Sequence, residues 1–193
     1  RRLQRLSRRA TSVPQGAGLS PAPRRFCSDP SKTPGVAVTK AGAGETHVLP
    51  HQEVTQIKLD SKQTGGRISV FESLLPPGTG APWHSHQEAG DTEVFYVLQG
   101  QLMFGWDGGS VIASSGDTVA CLPSSPRCFT NVGEVDARVL VINTPGGAES
   151  YVRAMASHGS DPLDPKEASR TAAAHGISLM RPPRGAYNGW PTE

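Results

Sequence analysis

Two histidines one residue apart, His84 and His86, stand in the stretch "PWHSHQEAGDTEVFYVLQG" (residues 82–100), a large share of the six histidines in 193 residues. On an extended strand, positions i and i+2 face the same side, so both imidazoles lie on one face. Glu93 follows at the head of the apolar run "EVFYVL", and Phe95 and Val97 share its face of that strand. Two imidazoles and a carboxylate suit Fe(II), Mn(II), Ni(II) or Zn(II). Glu88 and Asp91, in the intervening loop "QEAGDT", are competing oxygen donors.

Elements able to hold such a group lie between residues 55 and 144. Strand-like runs occur at 56–59, 67–75, 93–98, 101–106, 111–114, 127–131 and 137–143, with a turn and a short strand within 116–123, separated by turns such as "WDGGS" and "NVGEVD". The segment 76–82, "PPGTGAP", is expected to be a loop. Short strands at this spacing predict an antiparallel barrel or sandwich. The 22 glycines and 17 prolines fit the same architecture, since turns are where those residues belong. Beyond the strands the period changes. The spacing predicts a helix over 148–159 and another over 164–176, the second opened by Asp164 as cap, Pro165 and Glu167 and closed by Gly176.

Several residues together resemble a known pattern. Gly80, His84, His86, Glu93 and Gly100 are similar to the first motif of the cupin superfamily. In "GDTVACLPSSPRCFTN", Gly116, Asp117, Pro123, Pro126, Phe129 and Asn131 resemble the second. The chain is identified as resembling small single-domain cupins of the RmlC-like, quercetin-dioxygenase-like type. The resemblance covers about residues 56–151 and implies an all-β jelly-roll β-barrel, with one or two C-terminal helices added. It also implies that His84, His86 and Glu93 are metal ligands, that the substrate is a small molecule and that the protein is a homodimer.

Two departures stand out. Six residues separate His86 from Glu93 where the family has three or four; the six-residue distance from Glu93 to Gly100 is kept, which favours Glu93 over Glu88 and Asp91. The second-motif histidine, the fourth ligand, is replaced: counting back from Phe129 and Asn131 reaches Arg127. A guanidinium cannot ligate. Placed roughly 4 Å from a dication, it costs about 8 kcal/mol at an effective dielectric of about 20. Arg127 therefore swings away, pairs with Glu93 in place of a metal, or lies on the solvated surface. Cys128 alternates to the other face.

The functional expectation is a metal-dependent oxygenase acting on a small organic molecule, with Glu93 and Arg127 as catalytic residues and a weakly bound divalent metal. The alternatives are a non-oxidative isomerase or lyase, in which Arg127 and Trp106 bind an acidic substrate, and a binding protein without turnover. Fold alone does not choose among them.

Charge divides the chain. Residues 1–35 hold eight of the 19 basic residues and one of the 17 acids, leaving a mildly acidic body. The basic balance therefore implies no nucleic-acid partner. Residues 1–40 read as a disordered basic leader with the Arg- and Ser-rich composition of an organelle transit peptide, mitochondrial rather than plastid or cytoplasmic. Residues 41–151 form the expected barrel domain and 152–193 a helical tail. No run reaches the roughly 18 apolar residues of a membrane span, so a soluble protein is expected. Cys27, Cys121 and Cys128 lack metal or redox spacing and read as free thiols.

Overall fold

The computed structural model describes residues 35–87 and 91–182. The expected leader lies almost wholly outside these residues, as does Glu88. Strands are β1 (Glu45–Val48), β2 (Val54–Leu59), β3 (Ser69–Leu75), β4 (Gly80–His86), β5 (Thr92–Gln99), β6 (Gln101–Trp106), β7 (Gly109–Ser114), β8 (Thr118–Cys121), β9 (Arg127–Asn131), β10 (Ala137–Thr144) and β11 (Ile177–Leu179). Helices are α1 (Ser61–Thr64), α2 (Glu149–Ala156) and α3 (Pro165–Ala174).

One sheet has the order β1-β2-β3-β10-β5-β8 and the other β11-β4-β9-β6-β7. Every ladder is antiparallel. This is an all-β jelly roll with C-terminal helices. The alternation read in the sequence places Phe71, Leu75, Phe95, Val97, Leu102, Phe104, Val139 and Val141 between the sheets. Phe95 lies 5.0 Å, centroid to centroid, from both Phe104 and Phe129. Burying each such side chain contributes about 1.5–3 kcal/mol.

Three parts of the sequence reading need correction. The segment 76–82 is not all loop, because β4 begins at Gly80. A Cβ at Gly80, whose φ is +154°, would come within 2.1 Å of the Phe129 carbonyl oxygen, so glycine lets β9 close onto the start of β4. The tail is not only helical. Beyond α3 the chain returns as β11 and pairs with β4, Ile177 opposite His86 and Leu179 opposite His84. The first pairing strand was also missed: β1 precedes β2 on the sheet edge. Short strands carry too few residues to show an alternating period.

The two helices form where the end signals stand. Asp164 accepts from the Lys166 and Glu167 amides at 2.9 and 3.2 Å. Helix α2 begins at Glu149, so the division expected at 151 falls inside it. Its anchor is the Glu149 carboxylate, which accepts from the Ser61 amide at 3.0 Å, Ser69 Oγ at 2.5 Å and the Gly147 amide at 3.1 Å, and also from Ser61 Oγ. Among the described residues no helix is long and apolar enough to cross a membrane.

Candidate metal centre

Strand β4 is buried on both faces, and this explains its mixed composition. Trp83 packs outward with Met103, Cys128 and Met180. The Met180 amide donates to the Trp83 carbonyl at 2.8 Å, fastening the segment after β11 along this edge. His84 and His86 turn to the other face, 5% and 7% exposed, with ring centroids 5.3 Å apart. Across the interior, Glu93 extends from the start of β5 on the face of Phe95 and Val97. Ligand atoms of His84, His86 and Glu93 all lie within 4.8 Å of one another.

Both imidazoles are oriented by their second nitrogen. His84 Nδ1 donates to the Pro82 carbonyl at 2.7 Å. His86 Nδ1 donates to Asp91 Oδ2 at 2.5 Å. These bonds assign a proton to Nδ1 in each ring, so Nε2 is the nitrogen available to a metal. A carbonyl or carboxylate behind the ligating histidine is the usual support of a metal-bound imidazole. Asp91, weighed as a competing ligand, thus sits behind His86. Burial, reinforced by the neighbouring Arg127 charge, pushes the His84 pKa down to about 4, so the ring is neutral.

Arg127 stands opposite His84 in the β4–β9 ladder and is 3% exposed. A solvated surface role is therefore excluded. Its Nη2 donates to Glu93 Oε2 at 3.0 Å, and Nη1 reaches the Ser125 carbonyl at 3.3 Å. The buried Nε has no hydrogen-bond partner. Cys121, opposite Glu93 in the β5–β8 ladder, is pushed up to about 12 by burial and is a neutral thiol. Cys128 lies in the outer cluster with Trp83, as alternation required. Trp106 pairs with Arg127 in register but is 41% exposed, and its ring occupies the space above Gly109 in the β6–β7 turn.

Glu53, one residue before β2, escaped the sequence reading. Its Oε1 accepts from Thr55 Oγ1 at 3.0 Å, and Thr55 Oγ1 lies 2.7 Å from Ser73 Oγ. Burial, offset in part by bonds from Thr55 and Ser73 and aided by the Glu93 charge, pushes its pKa up to about 7. Tyr151 of α2 is pushed up to about 12 by burial and by the charges of Glu53 and Glu93. Nothing in the local sequence singles Glu53 out, because its setting is made by β3 and α2.

The second-motif residues shape the barrel around the site. Buried Asn131 donates from Nδ2 to the Leu75 and Val135 carbonyls, both at 2.8 Å, and its Oδ1 accepts from the Gly133 amide at 2.9 Å. Asp117 Oδ2 accepts from the Ser114 amide at 2.8 Å and closes the turn into β8.

The family model described as Cupin domain matches residues 71–143, a span that includes His84, His86, Glu93 and Arg127. A relative from Methanocaldococcus jannaschii, the uncharacterized protein MJ1618, is 27% identical over 81 residues. That alignment covers 42% of this chain and 63% of the relative, so the chain spans less than two thirds of that protein. Among solved structures, a predicted oxalate decarboxylase from Thermotoga maritima superimposes with a TM-score of 0.52 at 19% identity, over 56% of this chain and 99% of that one. KdgF from Halomonas sp. gives 0.52 at 14% identity, over 59% and 99%. At these identities the likeness is one of fold.

Proposed function

Because the chain carries a cupin domain, we propose that it is a metal-dependent enzyme acting on a small organic molecule, with oxygenase chemistry as the first reading. The observation that carries this is the convergence of His84, His86 and Glu93, with both histidines fixed through Nδ1. The donor set fits a divalent ion: two imidazoles and one carboxylate form a three-ligand group with open positions. Bound there, Fe(II), Mn(II), Ni(II) or Zn(II) supplies a Lewis acid and, for the redox-active ions, access to O2.

The protein's own groups do the remainder. Phe95, Phe104 and Phe129 pack as an aromatic cluster in the core, with Phe95 on the face of β5 that carries Glu93. Arg127 competes for Glu93 in the metal-free protein, so binding of the ion is weak and exchangeable. Glu93 and Arg127 are the proposed catalytic residues. A non-oxidative isomerase or lyase is the second reading, favoured by the unpartnered Arg127 Nε beside the ligands.

Elemental analysis of protein purified without chelator, followed by O2-uptake assays on the reconstituted protein, tests the reading. Metal near one equivalent with substrate-dependent O2 uptake supports it. Metal without O2 consumption, but with substrate turnover, moves it to the second reading. We place the protein in mitochondria as a homodimer, on the composition of the leader and the resemblance to small cupins. Import of a reporter carrying residues 1–40 and the mass by light scattering test those two points.

A further inference from the structure

We propose that the substrate of this centre is a small carboxylate anion, taken by the Arg127 guanidinium next to the metal. The inference rests on the metal reading above and adds the chemistry of the ligand.

The geometry begins with a half-used fork. A guanidinium binds a carboxylate best along one edge, by two parallel N–H···O bonds. Arg127 gives Glu93 a single bond at 3.0 Å, from Nη2, while Nε stays without an acceptor although it is buried. The remaining contact, Nη1 to the Ser125 carbonyl, is long at 3.3 Å. An unpaired buried donor of a charged group is costly, on the order of 1–3 kcal/mol or more. The site thus holds a cation whose hydrogen bonding Glu93 leaves incomplete.

Charge balance points the same way. His84 is neutral. With a dication seated on His84, His86 and Glu93, the Glu93 carboxylate faces two cationic partners, the ion and Arg127. Asp91, bonded to His86, offsets one further charge. Among these named groups the ion and Arg127 outweigh the two carboxylates, and buried charge of one sign favours a counter-ion. A carboxylate that puts one end on Arg127 and another oxygen toward the ion supplies that charge and fills the Nε vacancy. A neutral ligand does neither.

The test is calorimetric titration of the zinc-loaded full chain with malonate and with its neutral isostere malonamide, in the parent and in Arg127→Gln, with zinc stoichiometry measured on each sample. The expected result is malonate binding at least tenfold tighter than malonamide in the parent, falling at least tenfold in Arg127→Gln while zinc remains bound. Equal affinity for malonate and malonamide overturns the inference, and so does unchanged malonate affinity in Arg127→Gln. If Arg127→Gln gives no cooperative melt, Arg127→Lys replaces it: the fork predicts weaker malonate binding there, and undiminished affinity overturns it. A parent that holds zinc and ignores malonate sinks the carboxylate inference alone. A parent that holds no zinc sinks the metal centre on which it stands.

Discussion

Arg127 and Glu93 form an ion pair at 3.0 Å inside the barrel, with the guanidinium 3% and the carboxylate 13% exposed. The pair joins β9 to β5 across the sandwich and ties up one of the three candidate ligands. Metal uptake must therefore share Glu93 with Arg127, and the guanidinium beside it repels the ion that enters.

Replacing Arg127 with histidine removes that repulsion and adds an imidazole to the site. Divalent metal affinity is expected to rise at least tenfold, measured by titration with stoichiometry from elemental analysis. His84→Ala is expected to abolish binding in both backgrounds. An Arg127→His protein that binds no tighter than the parent contradicts the placement of Arg127 beside the ligands.

Asp91 acts through His86. Asp91→Asn keeps the shape of the loop but weakens the hydrogen bond that holds the ring and its tautomer. A loss of about 10–100-fold in metal affinity is expected, the usual effect of removing such a support. Thermal stability without metal should change little, which separates orientation of His86 from general damage.

Glu53 makes stability depend on pH. Its pKa is about 7 in the folded chain against 4.5 as its ordinary value. The folded state therefore holds the proton more tightly, and this contribution is complete below about pH 4.5. It is lost as pH rises through 7, by no more than about 3 kcal/mol. Glu53→Gln should be nearly neutral at pH 4.5 and relatively stabilising at pH 8, read from urea midpoints at the two values. A parent and variant whose difference does not change with pH would falsify this.

Glu149 has the opposite sign. Burial raises its pKa, but the bonds from Ser61 and Ser69 outweigh it and the net shift is downward. Its contribution is present above the ordinary carboxylate pKa and is lost as the solution is acidified through the lowered one. Glu149→Ala leaves the Ser61, Ser69 and Gly147 donors without their acceptor and is expected to cost about 3 kcal/mol at pH 7. Denaturant unfolding should show a lower midpoint with an unchanged slope. Parent and variant should converge in acid.

The barrel and the shared face of His84 and His86 were legible in the sequence because each depends on a local period, whereas Glu93 as the candidate third ligand followed from the resemblance to the cupin motif. Alternation over residues 92–99 and 137–144 puts alternate side chains inward whatever the partner strand, and the spacing of His84 and His86 does the same on β4. Gly80 and Gly100 are equally local in their signal, since each permits a backbone approach that a Cβ would block at 2.1 and 2.8 Å. Arg127 could be aligned to the ligand position by counting, but its state could not, for its partner Glu93 lies 34 residues away on another strand. The same holds for Glu53, whose pKa is set first by burial and then by Thr55, Ser73 and Glu93, and for Asp91, whose loop reads as a source of ligands. Strand β11 has three residues, too short for any period, and becomes a strand only because the exposed edge of β4 offers unpaired backbone groups. Sequence periodicity determines which face a side chain takes. Which groups meet there, and what charge each then carries, is decided by packing between strands distant in the chain, where burial and neighbouring charge act together.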